Sequence, residues 1–158
     1  MRMPLLKFLI ISSISSIFLL QNITSASEIV FNASKATDSC KDKWTSRGVL
    51  DENMFSYCMN QQTDGYKEAI YLTESKYQNI PLIEEIVTYA MNRWLTRKEY
   101  LYDMVSYEIE NQSEAYLDLE WDLNNGKISI SLLEKCMDKW ITLDEPLWDM
   151  VSYCTKNN

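Results

Sequence analysis

Cys40 to Cys58 reads CKDKWTSRGVLDENMFSYC, and Cys136 to Cys154 reads CMDKWITLDEPLWDMVSYC. Both open with C-x-D-K-W, close with M-x-S-Y-C, and separate their cysteines by 18 residues. A third stretch, Ala90 to Glu108, reads AMNRWLTRKEYLYDMVSYE. It keeps Trp94, Met104, Ser106 and Tyr107 in register but carries Ala90 and Glu108 at the two cysteine positions. The cysteines are kept as a pair or lost as a pair, so each pair is expected to close a local disulfide, Cys40–Cys58 and Cys136–Cys154. Any other pairing would join different copies and leave the joint loss in the middle copy unexplained.

Repeats of this length point to stacked supersecondary units. Each copy reads as an antiparallel helical hairpin. In the second copy, Asn79-Ile-Pro81 is a helix start with proline in the first turn. Ile83, Ile86, Val87, Ala90, Met91 and Trp94 then share one helical face. Thr96-x-x-Glu99 has the form of a capping box that would open the partner helix. That helix carries Leu101, Met104, Val105, Ile109, Tyr116, Leu119 and Leu123, and Asn124-Asn125-Gly126 ends it. The third copy restarts at Asp144-Glu-Pro146, and the first at Asp51-Glu52 after a turn containing Gly48. The cysteine pairs are centred on Val49 and Glu145, near these turns, so folding about the turn brings the cysteines face to face. The expectation is an all-α domain of three repeated hairpins, about six helices, over residues 38–78, 79–126 and 127–158. Two of the three hairpins are stapled.

Residues 1–27 read as a secretory signal. Arg2 and Lys7 precede an apolar run from Phe8 to Leu20 broken only by serines, and Thr24-Ser25-Ala26 supplies small residues for cleavage. The run is short for a bilayer span, which needs about 20 residues; an uncleaved anchor is the alternative. Residues 28–158 then form a single exported domain, in a compartment where disulfides persist. All 23 acidic residues and 13 of the 15 basic ones lie beyond the signal, giving that domain a net charge of −10. Such a charge repels nucleic acid and anionic lipid and favours a basic protein partner. It also serves solubility alone.

Trp44, Trp94 and Trp140 fall four residues after the cysteine position, on the same helical face. With Met54, Met104, Met150, Tyr57, Tyr107 and Tyr153 they are read as hairpin core rather than as an aromatic platform. From Glu108 to Asp122 the chain has six acidic residues and no basic one. Glu110, Glu114, Asp118 and Asp122 are spaced by fours and, on one helix, would form a stripe whose neighbours repel by a few tenths of a kcal/mol per pair. Glu108 with these four is a candidate docking face for a basic protein; the plain alternative is a solvated helix face. Even spacing along a helix does not reproduce the oxygen-rich loop that calcium needs, so no metal site is expected. Asn32-Ala-Ser34 and Asn111-Gln-Ser113 match the glycosylation acceptor pattern, which matters only in a eukaryote.

There is no histidine, so the commonest general base and catalytic metal ligand is missing. The cysteines lack C-x-x-C spacing, no Gly-rich phosphate loop is present, and no carboxylate pair stands out for glycoside chemistry. Neither an enzyme nor a cofactor is expected. The pattern Cys-x3-Trp…Met-x2-Tyr-Cys-x3-Gln, here Cys40, Trp44, Met54, Tyr57, Cys58 and Gln62, resembles small secreted bacterial proteins of uncharacterised function built from such hairpins. The resemblance implies a bacterial, periplasmic setting and no activity. The functional expectation is an exported acidic protein-binding module, concretely an inhibitor or immunity protein against a basic cell-wall hydrolase or toxin. An envelope-associated helical scaffold is the alternative.

Overall fold

Helix α1 (Ala33–Trp44) opens where Asn32 Oδ1 accepts the Lys35 amide at 3.0 Å, the capping role for which asparagine is favoured. Helix α2 (Glu52–Tyr71) opens the same way on Asp51, whose carboxylate accepts the Met54 amide at 3.1 Å. Between them, Thr45–Ser46 (β1) and Val49–Leu50 (β2) make a two-residue antiparallel ladder. Its connection is Arg47-Gly48, both at positive φ (52° and 77°), the conformation a two-residue hairpin loop requires. The computed structural model describes residues 28–96, 100–142 and 146–158; the expected signal segment lies outside them.

The remaining helices are α3 (Ile83–Trp94), α4 (Tyr102–Asn124), α5 (Ile130–Trp140) and α6 (Trp148–Lys156), and α2 runs into a π-helical turn at Leu72–Lys76. Helices α1, α3 and α5 all end on the repeated tryptophan, and α2, α4 and α6 begin at equivalent positions eight residues later. The turns are pinched at matching places: Thr45 pairs with Leu50, Leu95 with Tyr100, and Ile141 with Pro146.

This pinch corrects two expected helix starts. The expected start at Thr96-x-x-Glu99 falls partly outside the described residues, and α4 begins only at Tyr102, past the Leu95–Tyr100 bridge. Helix α6 likewise begins at Trp148, whose amide bonds to the Pro146 carbonyl at 3.0 Å, and not at Asp144-Glu-Pro146. Pro81 also precedes its helix: it lies in the turn that closes when the Ile83 amide meets the Ile80 carbonyl at 3.1 Å.

Helix α1 packs on α2, α3 on α4 and α5 on α6, while α4 also packs on both α2 and α6. The core is built around the Tyr102, Val105, Ile109, Tyr116 and Leu119 face of α4. Against it lie Ile86, Val87 and Ala90 of α3, Ala69 of α2, Leu72 of the π-helical turn, and Leu133, Trp148 and Val151 of the last two helices. Gln62 of α2 meets Tyr102 at the start of α4, and Lys76, just past α2, meets Glu114 further along it, so α2 and α4 run in the same direction. Gln112 with Asp149 and Asp118 with Lys156 give the same sense for α4 and α6.

The junctions between these parallel helices explain a recurrence past the cysteine position, where Gln62 and Tyr66 of the first copy match Gln112 and Tyr116 of the second. Gln62 Oε1 accepts the Tyr102 amide at 2.8 Å, and Gln112 Oε1 accepts the Asp149 amide at 3.2 Å. Each buried glutamine thus supplies a cap to a helix whose own N-cap residue, Leu101 or Leu147, has no side-chain hydrogen bond to offer. Tyr66 packs edge-on against Tyr102 with centroids 5.8 Å apart, and Tyr116 packs edge-on against Trp148 at 5.1 Å. Gly65 sits where the start of α4 crosses α2: a Cβ there would overlap Asp103 N, Asp103 Cα and Tyr102 C. A mid-helix glycine costs about 1 kcal/mol relative to alanine, and here the close crossing is what requires it.

Candidate protein-binding face

Both expected disulfides are present, Cys40–Cys58 and Cys136–Cys154, each with 5.8 Å between Cα atoms. In the chain-entropy model each 18-residue closure is worth about 3 kcal/mol. They tie α1 to α2 and α5 to α6.

Glu108 does not belong to an exposed face. Only 4% of it is accessible. Its Oε2 accepts Trp94 Nε1 at 3.1 Å and lies 3.4 Å from Arg93 Nη1, while Oε1 accepts Gln112 Nε2 at 2.9 Å. The small Ala90 on α3 leaves room for a carboxylate at this position, and the ring four residues further on receives it. Burying a carboxylate is costly unless it is paired and hydrogen-bonded, and this one is both. Burial opposes the charge on Arg93, but the Glu108 carboxylate and Tyr89 outweigh it and raise the guanidinium pKa.

The other four acids face solvent to differing degrees, and each has a lysine beside it. Lys76, on the π-helical turn, lies 2.7 Å from Glu110 and 3.4 Å from Glu114. Tyr77 donates its hydroxyl to Glu114 at 3.1 Å. The hydrogen bond that Lys76 donates to Glu110, and after it the interaction with Tyr77, hold the Lys76 pKa above its ordinary value. Lys156 of α6 lies 3.4 Å from Asp118. Lys127 lies 3.7 Å from the largely buried Asp122 and stacks 4.0 Å above the exposed Trp121 ring. Tertiary contacts thus oppose the repulsion that the spacing alone implies along Glu110, Glu114, Asp118 and Asp122.

The repeated tyrosines are not core. Tyr57, Tyr107 and Tyr153 are 55%, 58% and 63% exposed. The reason is helical geometry: each precedes the cysteine position by one residue, about 100° around the helix, so a cysteine turned toward the first helix turns its tyrosine away. The methionines and tryptophans of the motif are half-buried. Each tryptophan has its preceding basic residue over its ring: Lys43 on Trp44, Arg93 on Trp94 and Lys139 on Trp140, at 5.8, 5.2 and 4.8 Å from the centroid. Hence the K-W or R-W pair in every copy.

Charge is also divided between helices. Helices α1, α3 and α5 carry six acidic and six basic residues, whereas α2, α4 and α6 carry eleven acidic and two basic. The exposed side of α2, α4 and α6 therefore combines aromatic rings with carboxylates: Tyr57, Tyr107, Trp121 and Tyr153 with Asp64, Glu110, Glu114 and Asp118. The tyrosine signal was present in the sequence, since the residue recurs one position before each cysteine site. The charge division becomes apparent only once helix pairs are assigned.

Among the described residues no group of three or more histidine, cysteine or acidic side chains could hold a metal ion, and no helix is long and apolar enough to cross a membrane. An apolar crevice is lined by Tyr116, Leu119, Glu120, Leu123, Leu133 and Trp148. No protein-family model, curated protein or solved structure matches the chain.

Proposed function

We propose that this chain is an exported, acidic protein-binding module made of three copies of one helical hairpin. Its partner is a basic protein, and its working surface is the exposed side of α2, α4 and α6. In its concrete form it is a periplasmic inhibitor or immunity protein that occludes a basic cell-wall hydrolase or toxin. The observation that carries this reading is the concentration of charge on α4: seven acidic residues, of which Glu108 is buried, and no basic one, against an even balance on α1, α3 and α5. Solubility alone does not require carboxylates to gather on one helix beside an exposed tyrosine. Aromatic residues are enriched at interfaces, and a like-signed face speeds encounter with a partner of opposite charge. Export is supported by the two disulfides, which persist in oxidising compartments.

The test is capture of envelope proteins from the native organism on the immobilised protein, followed by mass spectrometry. One basic partner is expected, and its binding weakens with salt. Reversing the exposed Glu68, Glu114 and Asp118 to lysine should reduce both capture and its salt dependence. Capture of the same partner unchanged by these reversals would remove the face from consideration. Self-association with no distinct partner would support the scaffold alternative instead.

A further inference from the structure

A residue that recurs in every copy and is buried needs no explanation beyond packing. Tyr57, Tyr107 and Tyr153 recur and are more than half exposed, so packing does not account for them. A second recurrence accompanies them. Four residues on, one helical turn away on the same side, stands an amide side chain: Gln61, Asn111 and Asn157. Gln61 donates to the Tyr57 hydroxyl at 2.9 Å, Asn111 lies 3.5 Å from Asp149, and Asn157 donates to the Tyr153 carbonyl at 2.8 Å. Each second helix thus presents a ring next to a group that both donates and accepts hydrogen bonds.

The helices place these tyrosine–amide units in a row. The cross-helix contacts Gln62–Tyr102, Lys76–Glu114, Gln112–Asp149 and Asp118–Lys156 fix parallel helices stepped along their axes. The step is about 8–12 residues, or about 12–18 Å, and with a lateral spacing of about 9 Å the tyrosines stand roughly 15–20 Å apart. An extended peptide covers that distance in about five or six residues. Such a peptide must have its backbone N–H and C=O groups satisfied, which a side-chain amide does with its paired donor and acceptor. The surrounding carboxylates, with Glu114 and Asp118 the most exposed of the acidic stripe, select for positive charge, and cations bind tyrosine faces directly.

We infer that the row Tyr57–Gln61, Tyr107–Asn111, Tyr153–Asn157 is a binding track for an extended, lysine- or arginine-rich peptide segment lying across the second helices. The inference rests on the protein-binding reading and narrows its partner to a basic segment without compact structure where it is held. The tyrosines supply the repeated contacts, the amides engage the peptide backbone, and the carboxylates provide the charge selection.

The test uses the full exported domain and a fluorescein-labelled 16-residue peptide of alternating lysine and serine, followed by fluorescence anisotropy at low salt. Lysozyme serves as a compact basic competitor. The peptide is expected to bind, and the triple variant Tyr57→Ser, Tyr107→Ser, Tyr153→Ser to weaken it by about tenfold or more, as three exposed aromatic contacts would allow. Single variants should each account for about a two- to fivefold loss. Unchanged far-UV circular dichroism checks that the variants are folded, as exposed positions should permit. Replacing Gln61 and Asn157 by leucine keeps the charge and the rings and is expected to weaken the peptide severalfold. Peptide binding that the triple tyrosine variant leaves intact would overturn the track. So would binding of lysozyme with no binding of the peptide. Neither result touches the protein-binding reading, which the envelope capture decides separately.

Discussion

Glu108 of α4 accepts a hydrogen bond from Trp94 of α3 at 3.1 Å, at the register where the other two helix pairs carry Cys40–Cys58 and Cys136–Cys154. A buried carboxylate with three partners thus does noncovalently what a disulfide does elsewhere in the chain. The middle helix pair is the one that can rely on this, because α4 is also gripped by α2 and α6.

Replacing Glu108 should therefore cost more than a surface change. Glu108→Ala leaves Trp94 Nε1 and Gln112 Nε2 without this acceptor and is expected to destabilise the protein by about 2–3 kcal/mol in urea unfolding. The double variant Ala90→Cys, Glu108→Cys puts cysteines at the equivalent of the bridged positions. It should form a third disulfide and recover about 3 kcal/mol in the absence of reductant. Free thiols in the oxidised, folded double variant would show that the α3–α4 geometry differs from the stapled pairs.

Reduction should loosen the ends before the middle. Breaking Cys40–Cys58 and Cys136–Cys154 removes about 3 kcal/mol of constraint from each outer pair and none from α3 and α4. In amide hydrogen exchange with and without reductant, α1 and α5 should lose protection most. Uniform loss across α1 to α6 would mean that the pairs unfold as one cooperative unit.

The crossing of α2 and α4 makes Gly65 sensitive to a single methyl group. Gly65→Ala is expected to destabilise by about 1–3 kcal/mol despite the better helix propensity of alanine, because the Cβ meets the backbone of Tyr102 and Asp103. Gln62→Leu should cost about 1–3 kcal/mol by leaving the Tyr102 amide uncapped. Denaturant midpoints check both; a neutral or stabilising Gly65→Ala would contradict the close approach.

Alkaline conditions should unfold the protein early. Burial raises the pKa of Tyr102 and Tyr116 above the ordinary value of 10.0, and Tyr77 is raised chiefly by burial as well. The unfolded chain then loses these protons first, so it binds fewer protons than the native state and stability falls as pH rises. The Lys76 shift acts in the same direction. The contribution is intact below about pH 10 and is lost as pH climbs through the raised native values. Unfolding free energy measured from pH 8 to pH 11 should decline above pH 10. Tyr102→Phe should flatten that decline while lowering stability at pH 8, since its hydroxyl donates to Val30 O at 2.7 Å and accepts the Asn32 amide at 2.8 Å.

Much of the helical framework was legible along the chain. The joint gain and loss of cysteines gave the disulfide pairing, and the apolar stripes of α3 and α4 gave those helices. Both signals are local or repeat at fixed offsets. Helix starts were less legible: Thr96-x-x-Glu99 satisfies a capping rule, yet α4 begins at Tyr102, beyond the point where Leu95 pairs with Tyr100.

Sequence by itself determined which residues recur, and with them the helices, the staples and the net charge, because these depend on identity and spacing. Only the tertiary structure decided what each recurrence is for. It buried Glu108 between α3 and α4, placed lysines from distant segments against the acidic stripe, and put Gln62 and Gln112 to work as caps for the next helix. It also turned Tyr57, Tyr107 and Tyr153 outward. Orientation about a helix axis depends on what packs against it, and that is settled by contacts between residues far apart in the chain.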